Sequence, residues 1–240
     1  MVKDLPAQIQ TWFDQRNWQL RAHQRQVLDA TSAGHSSLLI APTGAGKTLA
    51  GFLPTLADLA EENHSGLHTL YISPLKALAV DVARNLTDPI AEMGLDIRVE
   101  TRTGDTPSSK RVRQRYDAPH ILLTTPEQLA LLISYPDASR MFASLKRLVL
   151  DELHALVTSK RGELLSLGLA RLAKLAPHMQ ITALSATVAQ PEMLREWIAR
   201  PVAPQKTKLL KMKGGAGAKV SILASKSRLP WAGHAAAYAI

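Results

Sequence analysis

The most constraining stretch of the chain is Leu38-Leu39-Ile40-Ala41-Pro42-Thr43-Gly44-Ala45-Gly46-Lys47-Thr48. Three aliphatic residues run into a small, glycine-rich turn that ends in Lys-Thr. This predicts a buried strand, a tight loop and the start of a helix. The loop fits the phosphate-binding pattern [AG]-x-x-x-x-G-K-[ST], with Ala41 at its first position. Small residues allow the backbone N–H groups of Thr43, Gly44, Ala45 and Gly46 to face phosphate oxygens, and a helix N-terminus favours anions. Lys47 is long enough to reach the β- and γ-phosphates, and the Thr48 hydroxyl suits Mg²⁺. A fortuitous glycine-rich turn is the alternative. Taken alone, the stretch predicts a nucleotide binder and names no reaction.

Around it, short apolar runs alternate with longer segments of helical period. Strands are expected at residues 37–40, 69–72, 97–102, 121–124, 147–150 and 180–184. Helices are expected at residues 5–16, 21–33, from 47 onward, after Leu78 to about 93, 108–116, from 126, 163–176 and 191–199. Pro54 should kink or end the helix that starts at Lys47. The stripe Leu165, Leu169 and Leu172 is expected to be buried. Such alternation implies an α/β fold with a mostly parallel sheet covered by helices on both faces. Ligands in these sheets bind at the carboxyl ends of the strands. The phosphate loop, Ser73-Pro74, Thr103-Gly104, Thr124-Thr125-Pro126, Asp151-Glu152 and Ser185-Ala186-Thr187 all follow predicted strands, so they should share one edge. Beyond residue 201 the pattern fades, with further strands expected at 209–212 and 219–224 on either side of Gly214-Gly215-Ala216-Gly217.

The 240 residues fit one α/β domain or two small ones, and a 46% hydrophobic content argues against disorder. A net charge of +9 suits a polyanionic partner, or simply a basic surface. With no cysteine, disulfides, thiolate zinc sites and cysteine nucleophiles are excluded. No apolar run approaches the ~18 residues of a membrane span, and the N-terminus lacks a signal-peptide core. A cytoplasmic protein without membrane contact is the expectation. The run Lys110, Arg111, Arg113 and Arg115 reads either as a solvated surface or as an auxiliary nucleic-acid patch. Trp12 and Phe13 read as core, with base stacking as the alternative.

Asp151-Glu152-Leu153-His154 follows an apolar strand. A carboxylate there, facing a phosphate loop, is the second half of a P-loop ATPase site. Asp151 would hold Mg²⁺ through water, and Glu152 would orient and deprotonate the attacking water. Surface acids opening a helix are the alternative. His154 alone reads as a hydrogen-bonding residue or a functional one.

Residues 41–48, 151–154 and 185–187 resemble motifs I, II and III of superfamily 2 helicases, and Asp-Glu-x-His resembles the DExH branch. Gln24, preceded by Trp18, resembles the adenine-reading Q motif. Pro74-Leu75-Lys76-Ala77-Leu78, Thr103-Gly104-Asp105 and Thr125-Pro126-Glu127 resemble the strand-contacting motifs. The wording around them, including Thr101-Arg102-Thr103-Gly104-Asp105-Thr106 and Lys160-Arg161-Gly162, is similar to the Lhr group, above all its ligase-associated DExH branch. The resemblance covers residues 13–199.

It implies a RecA-like P-loop NTPase domain over residues 1–200 that uses ATP and Mg²⁺. Gln24 would read adenine. Lys47, Asp151 and Glu152 would be catalytic, with Thr48 and Asp151 at the metal. His154, Ser185 and Thr187 would couple nucleotide to nucleic acid. Pro74, Lys76, Thr103, Gly104, Thr125 and Pro126 would hold the backbone of single-stranded nucleic acid, DNA rather than RNA. A role in DNA repair beside a DNA ligase and a nuclease is implied in the same way.

The family pattern is departed from at Asn17, Leu20 and Ala22, where Gly, Pro and Pro are expected. No Gln-x-x-Gly-Arg-x-Gly-Arg pattern follows Thr187, so residues 201–240, with Trp231-Ala232-Gly233-His234, read as a connector toward a second RecA-like domain. The chain by itself is then expected to hydrolyse ATP poorly and not to unwind duplexes. Two other readings stand beside the helicase: a RecA-like binding module without turnover, and a P-loop kinase or transporter ATPase, against which Ser185-Ala186-Thr187 argues.

Overall fold

The computed structural model describes residues 4–201 and 206–212. Seven strands form one sheet: β1 (Ser36–Ile40), β2 (Thr69–Ile72), β3 (Val99–Arg102), β4 (Ile121–Thr124), β5 (Arg147–Leu150), β6 (Gln180–Ser185) and β7 (Thr207–Lys211). Their order is β3-β4-β2-β5-β6-β1-β7, and every pair is parallel.

Strand alternation divides the core between the two faces. On one face Leu39, Tyr71, Leu123, Val149 and Leu184 pack against α1 (Ala7–Gln15), α2 (Ala22–Ser32), α3 (Lys47–Glu61) and α4 (Lys76–Glu92). On the other, Leu38, Ile40, Leu70, Leu122, Leu148 and Ile181 meet α6 (Pro126–Ser134), α7 (Ala138–Phe142), α8 (Leu153–Val157), α9 (Lys160–Leu175) and α10 (Pro191–Ala199). The stripe Leu165, Leu169 and Leu172 is buried there. Trp12 and Phe13 are core, as expected.

The structure refines the expectations: α9 starts three residues before the expected position 163, β3 starts two residues after position 97, and α7 and α8 are not among the expected helices. The helix α3 runs through Pro54 to Glu61 without ending. An interior proline costs about 3 kcal/mol, which burial of Phe52, Leu53, Leu56 and Ala57 against the sheet offsets. The strand expected at 209–212 starts two residues earlier and belongs to this sheet, because β7 pairs with β1 from Ser36↔Thr207 to Ile40↔Lys211. The basic run lies on α5 (Ser108–Tyr116), and acids from elsewhere in the chain reach it. Arg113 binds Glu100 at 2.7 Å, Lys110 is 3.7 Å from the same carboxylate, and Arg115 binds Asp137 at 2.6 Å. The expected strand at 219–224, Gly214-Gly215-Ala216-Gly217 and Trp231-Ala232-Gly233-His234 lie outside the described residues.

Candidate nucleotide and nucleic-acid edge

The phosphate loop leaves β1 at Ala41 and enters α3 at Lys47. Gly44 and Gly46 have φ of 80° and 79°, a left-handed backbone that residues with a Cβ rarely adopt. Lys47 is buried, and its Nζ donates to the Ala41 carbonyl at 3.0 Å. The helix α3 crosses the sheet closely: a Cβ on Gly51 would lie 3.0 Å from Leu184 and 3.2 Å from Val149. At its far end, Arg147 Nε donates to Asp58 at 2.7 Å, so α3 is pinned to β5 there as well.

Gln24 is buried on α2, against the same loop. Its Nε2 donates to the Gly46 carbonyl at 3.4 Å, and its Oε1 accepts from the Arg21 N–H at 2.9 Å. A cavity of about 710 Å³ opens beside it, lined in part by Trp18, Arg21, Gln24, Gly46 and Thr48. Asn17, at φ 53°, occupies the left-handed region, which Asn tolerates better than most residues do. The Arg16 guanidinium lies over Trp12 and Trp18, 4.5 and 5.9 Å from the ring centroids.

Asp151 ends β5, where its N–H bonds the Ile72 carbonyl at 2.9 Å. Its carboxylate is buried and held twice: Oδ1 accepts from the Glu152 N–H at 2.8 Å, and Oδ2 from the Tyr71 hydroxyl at 2.6 Å. Burial, and then the neighbouring Asp151 charge, push the Tyr71 phenol far above its usual range, so it remains the donor. Phe52 of α3 stacks on Tyr71 with centroids 5.5 Å apart. The phosphate-loop helix is therefore tied through one aromatic pair to the acidic turn. Sequence reasoning missed Tyr71; its only signal was one aromatic hydroxyl in an otherwise aliphatic strand end. Tyr71→Phe keeps the ring and removes the donor, so a loss of about 1.5–3 kcal/mol is expected in denaturant unfolding.

Glu152 sits at φ 47°, an uncommon conformation for a residue with a Cβ. Its Oε2 is 3.4 Å from His154 Nδ1. The same nitrogen is 3.3 Å from Ser185 Oγ and accepts from the Ala186 N–H at 3.4 Å. The turn after β5 thus touches the turn after β6. Thr187 is exposed beyond it.

On the other half of the edge, Thr125 precedes α6 and Pro126 opens it, a position proline tolerates because the first helical N–H has no partner anyway. Thr103 lies in a turn closed on Thr106, whose Oγ1 accepts from the Thr103 N–H at 2.9 Å. Gly104 is open: a Cβ placed on it would have nothing within 4 Å. Lys76 is exposed and pairs with Asp105 at 2.6 Å. From one side of the sheet to the other, the edge therefore carries Thr103-Gly104, Thr125-Pro126, Pro74 and Lys76, Asp151-Glu152, Ser185 to Thr187, then the phosphate loop. All six strand-end groups share that edge, as the sequence implied.

A phosphate loop and an acidic turn on the carboxyl edge of a parallel sheet define a P-loop NTPase of RecA-like helicase architecture. Residues 21–194 match the DEAD/DEAH box helicase family. The chain is 39% identical over 199 residues to the ATP-dependent helicase Lhr-Core of Methanocaldococcus jannaschii, covering 77% of this chain and 23% of that protein. It is 42% identical over 191 residues to the Lhr helicase/probable uracil glycosylase of Mycolicibacterium smegmatis, covering 73% of this chain and 12% of that protein. The solved structure of Mycobacterium smegmatis helicase Lhr bound to ssDNA and AMP-PNP superposes with a TM-score of 0.80 at 35% identity, covering 87% of this chain and 28% of that one. The chain belongs to the DEAD/DEAH box helicase family and is similar to its Lhr helicases. It spans between 12% and 28% of the length of these relatives.

Proposed function

We propose that the chain is the ATP-binding motor domain of a translocase on single-stranded nucleic acid, DNA in preference to RNA, acting in DNA repair. The observation that supports this best is the division of one sheet edge: the loops after β3, β4 and β2 on one side, where Gly104 and Lys76 are exposed while Pro74, Thr103, Thr125 and Pro126 are buried, the phosphate loop on the other, the acidic turn between. In this reading Gln24 meets the adenine, and Thr43, Gly44, Ala45, Gly46, Lys47 and Thr48 hold the phosphates. The Thr48 hydroxyl and the Asp151 carboxylate offer hard oxygen donors that suit Mg²⁺, which when bound neutralises developing phosphate charge. Glu152 orients and accepts a proton from the attacking water. His154, Ser185 and Thr187 transmit the nucleotide state. Pro74, Lys76, Thr103, Gly104, Thr125 and Pro126 hold the sugar-phosphate backbone, a form of contact that lets a translocase accept any sequence.

The reading also includes an arginine supplied to the nucleotide by a second RecA-like domain. It further includes a cytoplasmic setting and work beside a DNA ligase and a nuclease. The Lhr structure that holds both ssDNA and AMP-PNP supports joint binding of the two ligands. The test is an ATPase titration of the protein extended past Ile240 with single-stranded DNA and with RNA. Saturable stimulation, stronger with DNA, is expected. Equal rates with and without either strand would end this reading.

A further inference from the structure

Arg161, the second residue of α9, reaches across the nucleic-acid half of the edge. Its guanidinium forks onto the Glu127 carboxylate, with Nη2 2.8 Å from Oε2 and Nε donating to Oε1. Its Nη1 donates to the Pro74 carbonyl. Glu127 is the second residue of α6, directly after Thr125-Pro126, and Pro74 lies in the loop between β2 and α4. One side chain therefore joins the β2–α4 loop to the first turn of α6, 53 residues further along the sequence (127 less 74). The Glu127 carboxyl is held down at about 2, chiefly by its hydrogen bonds from Arg161.

Arg161 is itself anchored to α8, the helix that follows the acidic turn. Ser159 caps α9, accepting at Oγ from the Gly162 N–H and donating to the Leu156 carbonyl at 2.7 Å. The helix α8, which carries Leu156, also carries His154. Both partners of the Arg161–Glu127 pair are partly exposed, with 37% and 46% of their side-chain surface accessible. At this exposure the Coulomb energy of the pair is screened by water, and what distinguishes it is its bidentate geometry. The planar fork does fix two backbone segments in one register, which a point charge would not.

We propose that Arg161 is a positioning residue that locks the Pro74 and Thr125-Pro126 loops together and couples them to the segment carrying Glu152 and His154. This rests on the nucleic-acid reading of that edge. A movement of α8 is then passed to both loops at once through a single guanidinium.

The test uses the full-length protein and measures ssDNA affinity with and without a non-hydrolysable ATP analogue. By linkage the ratio of the two affinities is the coupling between the sites. Arg161→Ala should bring that ratio toward one and raise the ssDNA concentration for half-maximal ATPase stimulation about tenfold, within the range for residues that carry coupling. Nucleotide affinity without DNA should stay as in the parent. Glu127→Gln, nearly isosteric, removes the same fork and should reproduce the effect, which covers the case of an unfolded Arg161→Ala. A parent-like ratio in either folded variant overturns the proposal. A parent protein that shows no response to ssDNA overturns the nucleic-acid reading instead, and the proposal with it.

Discussion

Glu152→Gln is expected to stop turnover while leaving nucleotide bound. The substitution preserves shape and the backbone N–H that donates to Asp151 Oδ1, so the acidic turn keeps its geometry. What disappears is the anionic acceptor beside His154. General-base contributions of this kind are worth roughly 10²–10⁴ in rate. In the full-length protein, kcat for ssDNA-stimulated ATP hydrolysis should fall by that order, with ATP affinity changed by no more than a few-fold. Equilibrium binding of a fluorescent ATP analogue and single-turnover hydrolysis separate the two quantities. Parent-like turnover would remove Glu152 from the role proposed for it.

The largest structural effect is expected at Gly162→Ala. A Cβ there would stand 2.2 Å from the Leu156 carbonyl oxygen, 2.9 Å from its carbon and 3.0 Å from Val157 Cα. These are backbone atoms, so no rotamer change can relieve the contact; the α8–α9 junction must open. Overpacking of this kind typically costs about 1–3 kcal/mol, and backbone obstacles lie at the upper end. For a chain of this size each kcal/mol lowers Tm by about 2–4 °C, so a drop on the order of 5–10 °C is expected. Gly104→Ala is the control for the melting measurement, because its Cβ would meet nothing within 4 Å. Equal melting of the two variants would show that the junction is more compliant than its packing indicates.

What could be read from the chain follows the range of the interactions involved. The phosphate loop, the acidic turn and the strand–helix alternation are local patterns, and they place all six strand-end groups on one edge. The stripe Leu165, Leu169 and Leu172 is equally local. The roles of Tyr71 and Arg161 are not legible in the same way, because their partners lie 80 and 87 residues away, at Asp151 and Pro74. Nothing near Tyr71 in sequence signals a buried carboxylate. Pro54 misleads because propensity weighs the lost backbone bond and cannot see the burial around it. The start of β7 is hard to place because an edge strand with half-exposed residues has little of the apolar continuity that marks a central one.

The strand order also acts as a ruler. Neighbouring strands stand about 4.8 Å apart, so the phosphate loop at β1 is roughly 14 Å from the β2 loop and roughly 24 Å from the β3 loop. Neither distance can be spanned by one side chain. On the proposed reading, a message about whether phosphate is present passes through intervening groups, and within the sheet the ends of β6 and β5 lie between β1 and β2. In that reading, the order in which the strands are laid side by side keeps the two ligands apart, and any coupling between them rests on groups that bridge the strand ends, such as His154 and Arg161.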